Sequence, residues 1–315
     1  MTSWRPEALA VAYDDELLDW QLGGDHPTNP IRAKLCVERL ALLEVTMVVE
    51  PITFQLTDEL AAVHTPEYVR QTLAGHNAEW SGRRPDLGAV AAHMFAGTVQ
   101  IANGIDRGDV RIGFSPQGAK HHAMADHGSG FCVFNDMAWA AKHFTAQGKR
   151  VLYVDLDAHH GDGVEALTAD DPLVMTCSVH DRTIFPSTGR MSDVRRRVQN
   201  YPLERGAGDA DLLTAVGAIA ELSQDWDPEV LLIAIGADGH ATDPLSSLQY
   251  SYDGYRSAAE VLGQLAGARR IPVLMGGAGG YQPRTHTPRV WAAFVAALHR
   301  AWRAADTTPV LIHHT

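Results

Sequence analysis

The sequence predicts an α/β protein built on a central, mainly parallel sheet flanked by helices. Strand-like and helix-like segments alternate along most of the 315 residues, as crossover-connected parallel strands do. The strand candidates are apolar runs, such as Val151, Leu152, Tyr153 and Val154, or Leu231, Leu232, Ile233, Ala234 and Ile235. No internal repeat, low-complexity tract or interdomain linker breaks the chain. A single domain over 1–315, with its core at about 11–304, is therefore expected.

In chain order, a helix is expected over 31–44. Leu35, Leu40, Leu42 and Leu43 give it an apolar side, and Pro30 stands near its start, where proline is tolerated. A short strand follows at 48–54. Thr57 and Thr65, each followed by acids, read as N-caps of two further helices. Residues 75–85 read as a surface loop. The stretch 89–105 is small and apolar on nearly every side, which predicts a buried helix. A strand at 110–114 leads into a long polar loop, and a helix over about 136–147 precedes the strand that starts at Val151. Beyond Gly163 come a short helix, a strand at 173–179 and a long loop to about 208. Then follow a helix over 209–223, a strand at 230–235, a helix over 253–266, a strand at 271–275 and a last helix over about 288–304. The tail, ending Leu311, Ile312, His313, His314 and Thr315, carries no recognisable signal.

Hydrophobic residues make up 45% of the chain, enough for a substantial core. A net charge of −12 argues against a nucleic-acid partner. Cys36, Cys132 and Cys177 are widely separated with no CxxC pair, which suits a reducing compartment. The first residues lack the apolar core of a signal peptide, and no stretch is long and apolar enough to span a bilayer. A cytoplasmic protein without a membrane partner is expected.

The chemistry collects where strands end. After Val154 come Asp155, Asp157, His159, His160, Gly161, Asp162 and Gly163. In an extended segment Asp155 and Asp157 face the same side, and the glycines permit the turn that follows. Ile235 leads to Asp238 and then Asp243, and Met275 leads to a glycine-rich run ending in Tyr281. Ligands of open parallel sheets collect outside the carboxyl ends of the strands, so these stretches should converge on one crevice. Asp157, His159 and Asp238 would leave coordination positions open on a divalent ion, as catalytic zinc requires. Iron(II) fits the same donors. His121 and His122 lie in the long polar loop, and Asp155 and Asp162 could orient one imidazole each, suiting general acid–base work. The run before Tyr281 lacks the lysine and spacing of a P-loop and more simply delivers a phenol to a crowded site.

Together, His121 and His122, the segment from Ser129 to Asn135, the segment from Asp155 to Gly163, Asp238, and Gly279 to Tyr281 resemble the histone deacetylase superfamily, in the same order. The closest subgroup is the bacterial acetoin-utilisation-type deacetylases, to which His26, Pro27, Arg32, His64 and Trp291 also point in their local contexts. The resemblance spans roughly residues 11 to 300. It implies an arginase/deacetylase-like fold and zinc-dependent removal of acetyl groups from acetyl-lysine side chains of proteins. Asp157, His159 and Asp238 would then be the zinc ligands, and His121 and His122 the paired histidines with Asp155 and Asp162 behind them. His122 would be the better proton shuttle, and Tyr281 would polarise the acetyl carbonyl. Phe131 and Phe185 match the aromatic walls of the acyl-lysine tunnel, with Gly130 and Gly279 beside them, and Arg32 an arginine near an inner acetate-release channel. A structural potassium ion is implied at Asp155, Ser178 and the backbone carbonyls of Asp157, His159 and Val179.

Lys120, immediately before the histidine pair, and Ala278, within the glycine run, depart from the family pattern. In 75–87 only Asp86 offers itself for gripping a substrate backbone, and Arg195, Arg196 and Arg197 read as a solvated patch. Alternative readings are a deacetylase of small acetylated amines such as acetylpolyamines, a catalytically silent acyl-lysine-binding module, and arginase-type hydrolysis at a two-manganese site.

Overall fold

The computed structural model describes residues 3–24 and 26–306, and the predicted tail at 311–315 lies outside them. One eight-stranded sheet organises the chain, in the order β2-β1-β3-β8-β7-β4-β5-β6. Its strands are β1 (Leu9–Ala12), β2 (Met47–Glu50), β3 (Ile112–Ser115), β4 (Val151–Asp155), β5 (Val174–Asp181), β6 (Val198–Leu203), β7 (Val230–Ile235) and β8 (Val273–Gly277). Every pairing between them is parallel.

The helices are α1 (Ile31–Ala41), α2 (Pro66–Leu73), α3 (Pro85–Asp106), α4 (Asp136–Thr145), α5 (Asp162–Thr168), α6 (Asp209–Trp226), α7 (Tyr252–Arg269) and α8 (His286–Asp306). Strand residues alternate between two cores. Leu152, Val154, Leu231 and Ile233 pack with residues of α1, α6, α7 and α8. Val151, Tyr153, Val230 and Leu232 pack with α3 and α4 on the other face. Both faces are thus covered, which is why the central strands read as unbroken apolar runs.

Several elements depart from the expected pattern. The helix expected after Thr57 is only a 3-10 turn at Glu59–Ala62, whereas the one expected after Thr65 is α2, where the Thr65 hydroxyl caps the Tyr68 N–H. Two strands lie where the sequence predicts none. β1 is a four-residue run of Leu9, Ala10, Val11 and Ala12, too short to show a period. β6 falls inside the stretch expected to be a loop. It carries Gln199, Asn200 and Pro202, and an edge strand tolerates such residues because only one side must pair. Among the described residues no helix is long and apolar enough to cross a membrane.

The strand order places the chemistry. β3, β8, β7 and β4 are consecutive neighbours in the sheet. The segments that follow them hold His121 and His122, Tyr281, Asp238, and Asp157 with His159, respectively. Four stretches far apart in sequence therefore emerge side by side at one carboxyl edge, where parallel sheets bind their ligands.

Candidate active site

Beyond β4 the chain turns tightly, and side-chain acceptors tie the turn down. Asp155 accepts the Asp157 N–H at 3.0 Å, Asp157 the His159 N–H at 2.9 Å, and Asp238 the Ala158 N–H at 2.9 Å. Asp157 also accepts the Gly279 N–H at 2.6 Å, which joins the loop after β8 to the loop after β4. These bonds leave His159 Nδ1 3.1 Å from an Asp157 oxygen and 2.9 Å from an Asp238 oxygen. The three ligand atoms, all on buried residues, lie within 4.8 Å of one another. Burial and the charge of Asp157 push the Asp238 carboxyl upward. One imidazole nitrogen and two carboxylates form a donor set that fits zinc or iron(II). A Cβ on Gly279 would collide with both carboxylates, so glycine is required for this close approach.

The histidine pair sits on the loop after β3. Asp136, at the start of α4, holds that loop by accepting the N–H groups of Ala119 at 2.9 Å and Lys120 at 2.8 Å. The two imidazoles lie 4.0 Å apart between centroids. His121 Nδ1 is 2.8 Å from Asp155, and His122 Nδ1 is 2.7 Å from Asp162. Tyr153 donates to the same Asp155 oxygen at 2.6 Å. Burial opposes charge on His121, but Asp155 and Asp157 outweigh it and raise its pKa to about 9. Burial and the His121 charge instead lower His122 to about 4, in spite of Asp162. The two adjacent histidines are thus shifted in opposite directions, His121 upward by its carboxylates and His122 downward by burial and by His121.

A cavity of about 330 Å³ opens above these groups. His122, His159 and Tyr281 line it together with Gly130, Phe131, Ile184, Phe185 and Leu245. Phe185 is 48% exposed, so it stands at the mouth. Its ring centroid is 5.1 Å from His122, while Phe131 is 6.1 Å from Tyr281. Gly130 adopts φ +55°, and a Cβ there would meet the His122 ring at 2.5 Å. Tyr281 lies edge-on to His159, with centroids 6.3 Å apart, and burial raises its hydroxyl well above the usual phenol range.

All the sequence-predicted catalytic, zinc-ligating and tunnel residues thus meet at one place. Ser178 and Val179 lie one strand away on β5, where Ser178 is the register partner of Asp155. Its hydroxyl is 3.0 Å from His180 Nδ1. Asp86 pairs with Arg84 at 2.6 Å and does not line the tunnel. Two supporting contacts carry no role in the sequence reading: Glu79 accepts the Phe131 N–H at 2.6 Å, and Asp243, expected near the crevice only as part of the stretch after Ile235, accepts the Tyr281 N–H at 2.8 Å. Neither has a sequence signature, because each acts on a backbone group distant in the chain. Arg32 and Lys120 lie on the inner side of the site.

Comparison with known proteins identifies the family and the fold. The family model of the histone deacetylase domain matches residues 26–298. The acetoin utilization protein AcuC of Staphylococcus aureus (strain COL) is 30% identical over 310 residues, covering 90% of this chain and 79% of the relative. AcuC of Bacillus subtilis (strain 168) is 31% identical over 297 residues, covering 85% and 76%. Histone deacetylase clr6 of Schizosaccharomyces pombe is 28% identical over 308 residues, covering 90% and 75%. Among solved structures, the crystal structure of the HDA15 HD domain superposes with a TM-score of 0.81 at 26% identity, covering 96% of this chain and 91% of that one.

Proposed function

The chain belongs to the histone deacetylase family and is a deacetylase hydrolase, and from that premise we propose that it acts on acetyl-lysine side chains of proteins. The observation that carries this reading is the tunnel wall. Phe131, Phe185, Ile184 and Leu245 make it apolar, no carboxylate lines it, and His122, His159 and Tyr281 stand within it. An acetylated lysine presents a neutral amide on an apolar four-carbon arm, which such a wall receives without an unpaired charge. An acetylpolyamine carries further ammonium groups, which a carboxylate-free wall leaves unsatisfied.

Asp157, His159 and Asp238 would hold the divalent ion, zinc in the first instance. When bound there it supplies Lewis-acid activation of water and of the amide carbonyl. The rest falls to side chains of this chain. His122 is neutral, and with Nδ1 engaged by Asp162 its Nε2 is free to take a proton from the attacking water. Asp155 at His121 Nδ1 favours the protonated form of His121, next to His122. Tyr281 keeps its proton and can donate a hydrogen bond to the carbonyl oxygen as negative charge develops there. Either histidine can then protonate the departing amine. Apolar tunnel walls exclude competing water.

A potassium ion at Asp155, Ser178 and the carbonyls of Asp157, His159 and Val179 is part of the same reading, supported by the pairing of Asp155 with Ser178 across β4 and β5. The unbroken sheet supports treating the chain as one catalytic domain. The test sets an acetyl-lysine peptide beside an acetylated polyamine, with chelator-treated protein as control. Faster, chelator-sensitive turnover of the peptide supports the proposal. Preference for the polyamine would replace the substrate while leaving the family reading intact.

A further inference from the structure

The segment 182–197, between β5 and β6, brings Ile184 and Phe185 into the tunnel wall, yet most of it is exposed. Apolar burial does not hold it there, since Met191 is 82% exposed and Val194 76%. Polar side chains beneath the loop hold it instead. His160, 2% exposed, lies 2.9 Å from the Thr188 hydroxyl through Nδ1 and 3.0 Å from a Glu165 oxygen through Nε2. A carboxylate only accepts, so Nε2–H of the neutral ring donates to Glu165, and Nδ1 accepts from Thr188.

Neighbouring groups fasten the same stretch. Asn200, on β6, donates at 3.1 Å both to that Glu165 oxygen and to the Met191 carbonyl. His180 Nε2 donates to the Gly189 carbonyl at 3.1 Å. Gly189 adopts φ +66°, and a Cβ there would meet the His160 ring at 2.4 Å, so the loop backbone rests directly on that imidazole. Thr188 stands three residues after Phe185, whose ring centroid is 5.1 Å from His122 and 6.3 Å from His159. Glu165, Thr188 and Asn200 do not line the tunnel themselves.

We propose that Glu165, His160 and Thr188 form a positioning relay that fixes Phe185, and thereby sets how firmly the tunnel grips the acyl-lysine arm. The identity of that arm rests on the deacetylase reading, whereas the hold on the loop does not. Phe185 meets the arm before and during reaction alike, so loosening it removes binding common to substrate and transition state. Such a loss raises KM and leaves kcat in place.

The test has two readouts, made on the whole protein. Thr188→Val keeps the shape of an exposed side chain and removes the donor. Glu165→Ala removes the shared acceptor, and Glu165→Gln restores an acceptor oxygen. Amide hydrogen exchange over 187–192, measured without substrate, should quicken about threefold to tenfold in Thr188→Val and at least as much in Glu165→Ala, the worth of one hydrogen bond or more. The double variant should exchange no faster than Glu165→Ala, because both changes break one path. Glu165→Gln should exchange like the unaltered protein. With an acetyl-lysine peptide, KM should rise by a similar factor in the first two variants, with kcat within about twofold and metal content unchanged.

Unchanged exchange in Thr188→Val would overturn the proposal, and this variant decides the matter should Glu165→Ala fold poorly. Additive effects in the double variant would also overturn it. So would a fall in kcat at constant KM, which would place the relay on His159 and Asp162 rather than on Phe185. Absence of turnover by the unaltered protein would count against the deacetylase reading, while hydrogen exchange would still decide whether the relay holds the loop.

Discussion

The carboxylate of Asp243 accepts the backbone N–H of Tyr281 at 2.8 Å, linking the segment after β7 to the segment after β8. It also accepts the Leu245 N–H at 3.1 Å, so one side chain fixes the phenol and one wall of the tunnel. Asp243→Ala should lower kcat by about tenfold or more, because a misplaced donor no longer meets the developing oxyanion. Metal content, measured by elemental analysis, should be unchanged. Asp243→Asn keeps an acceptor oxygen and should recover much of the loss. A larger change in metal content than in kcat would argue for a metal-site role instead.

The histidine pair should divide unequally. His122 lines the tunnel and its pKa is lowered by burial and by His121, whereas Asp155 and Asp157 raise that of His121. His122→Ala should cost roughly 10²–10⁴ in kcat, the usual range for a general acid–base residue. Asp162→Asn should cost less, since it weakens the orientation of His122 without removing it. Single-turnover kinetics with a fluorogenic acetyl-lysine peptide would read both.

Gly279 tests the metal reading without replacing a ligand. Its missing Cβ is what lets the backbone approach the carboxylates of Asp157 and Asp238. Gly279→Ala should weaken metal affinity about 10–100-fold, the effect expected when the surroundings of a ligand set are disturbed. Competitive chelator titration would measure it, and unaltered affinity would mean that the three residues do not hold the ion.

Much of this site was legible because its residues stand where apolar runs stop. β7 was expected at 230–235 and is found there, since five consecutive buried aliphatic side chains after Val230 admit no other reading. Asp157, His159 and Asp238 follow such runs within a few residues. β6 was not legible, because Asn200 and Pro202 argue against a strand and only its edge position permits them. Glu79 was missed, and Asp243 was placed near the crevice without a role, for another reason. Each bonds to a backbone N–H, of Phe131 and of Tyr281, and any residue type can supply that group. Sequence records donors and acceptors on side chains, but which backbone group they reach depends on the fold.

Acid should destabilise the protein through histidines that the fold keeps neutral. His64 is 2.8 Å from the Met124 carbonyl through Nδ1 and accepts the Asn135 N–H at 2.9 Å through Nε2. Burial lowers its pKa from 6.5 to about 4, and His299 is lowered to about 4 in the same way. The unfolded chain takes up these protons below pH 6.5, and the folded chain only near pH 4. Their contribution to stability is therefore complete above pH 6.5 and lost as the pH falls toward 4, at up to about 1.4 kcal/mol per pH unit for each group. Urea unfolding at pH 7.5 and pH 5 should show the loss. His64→Gln should be less stable at pH 7.5 and lose less on acidification.

The most direct measurement is acetate release from an acetyl-lysine peptide by the metal-loaded protein and by Tyr281→Phe. Loss of the hydroxyl removes one hydrogen-bond donor to the oxyanion and nothing else from the ligand set, so kcat should fall by about 10²–10³ with metal content intact. Equal rates in the two proteins would contradict the role of Tyr281 and, with it, the way this site is read as a deacetylase.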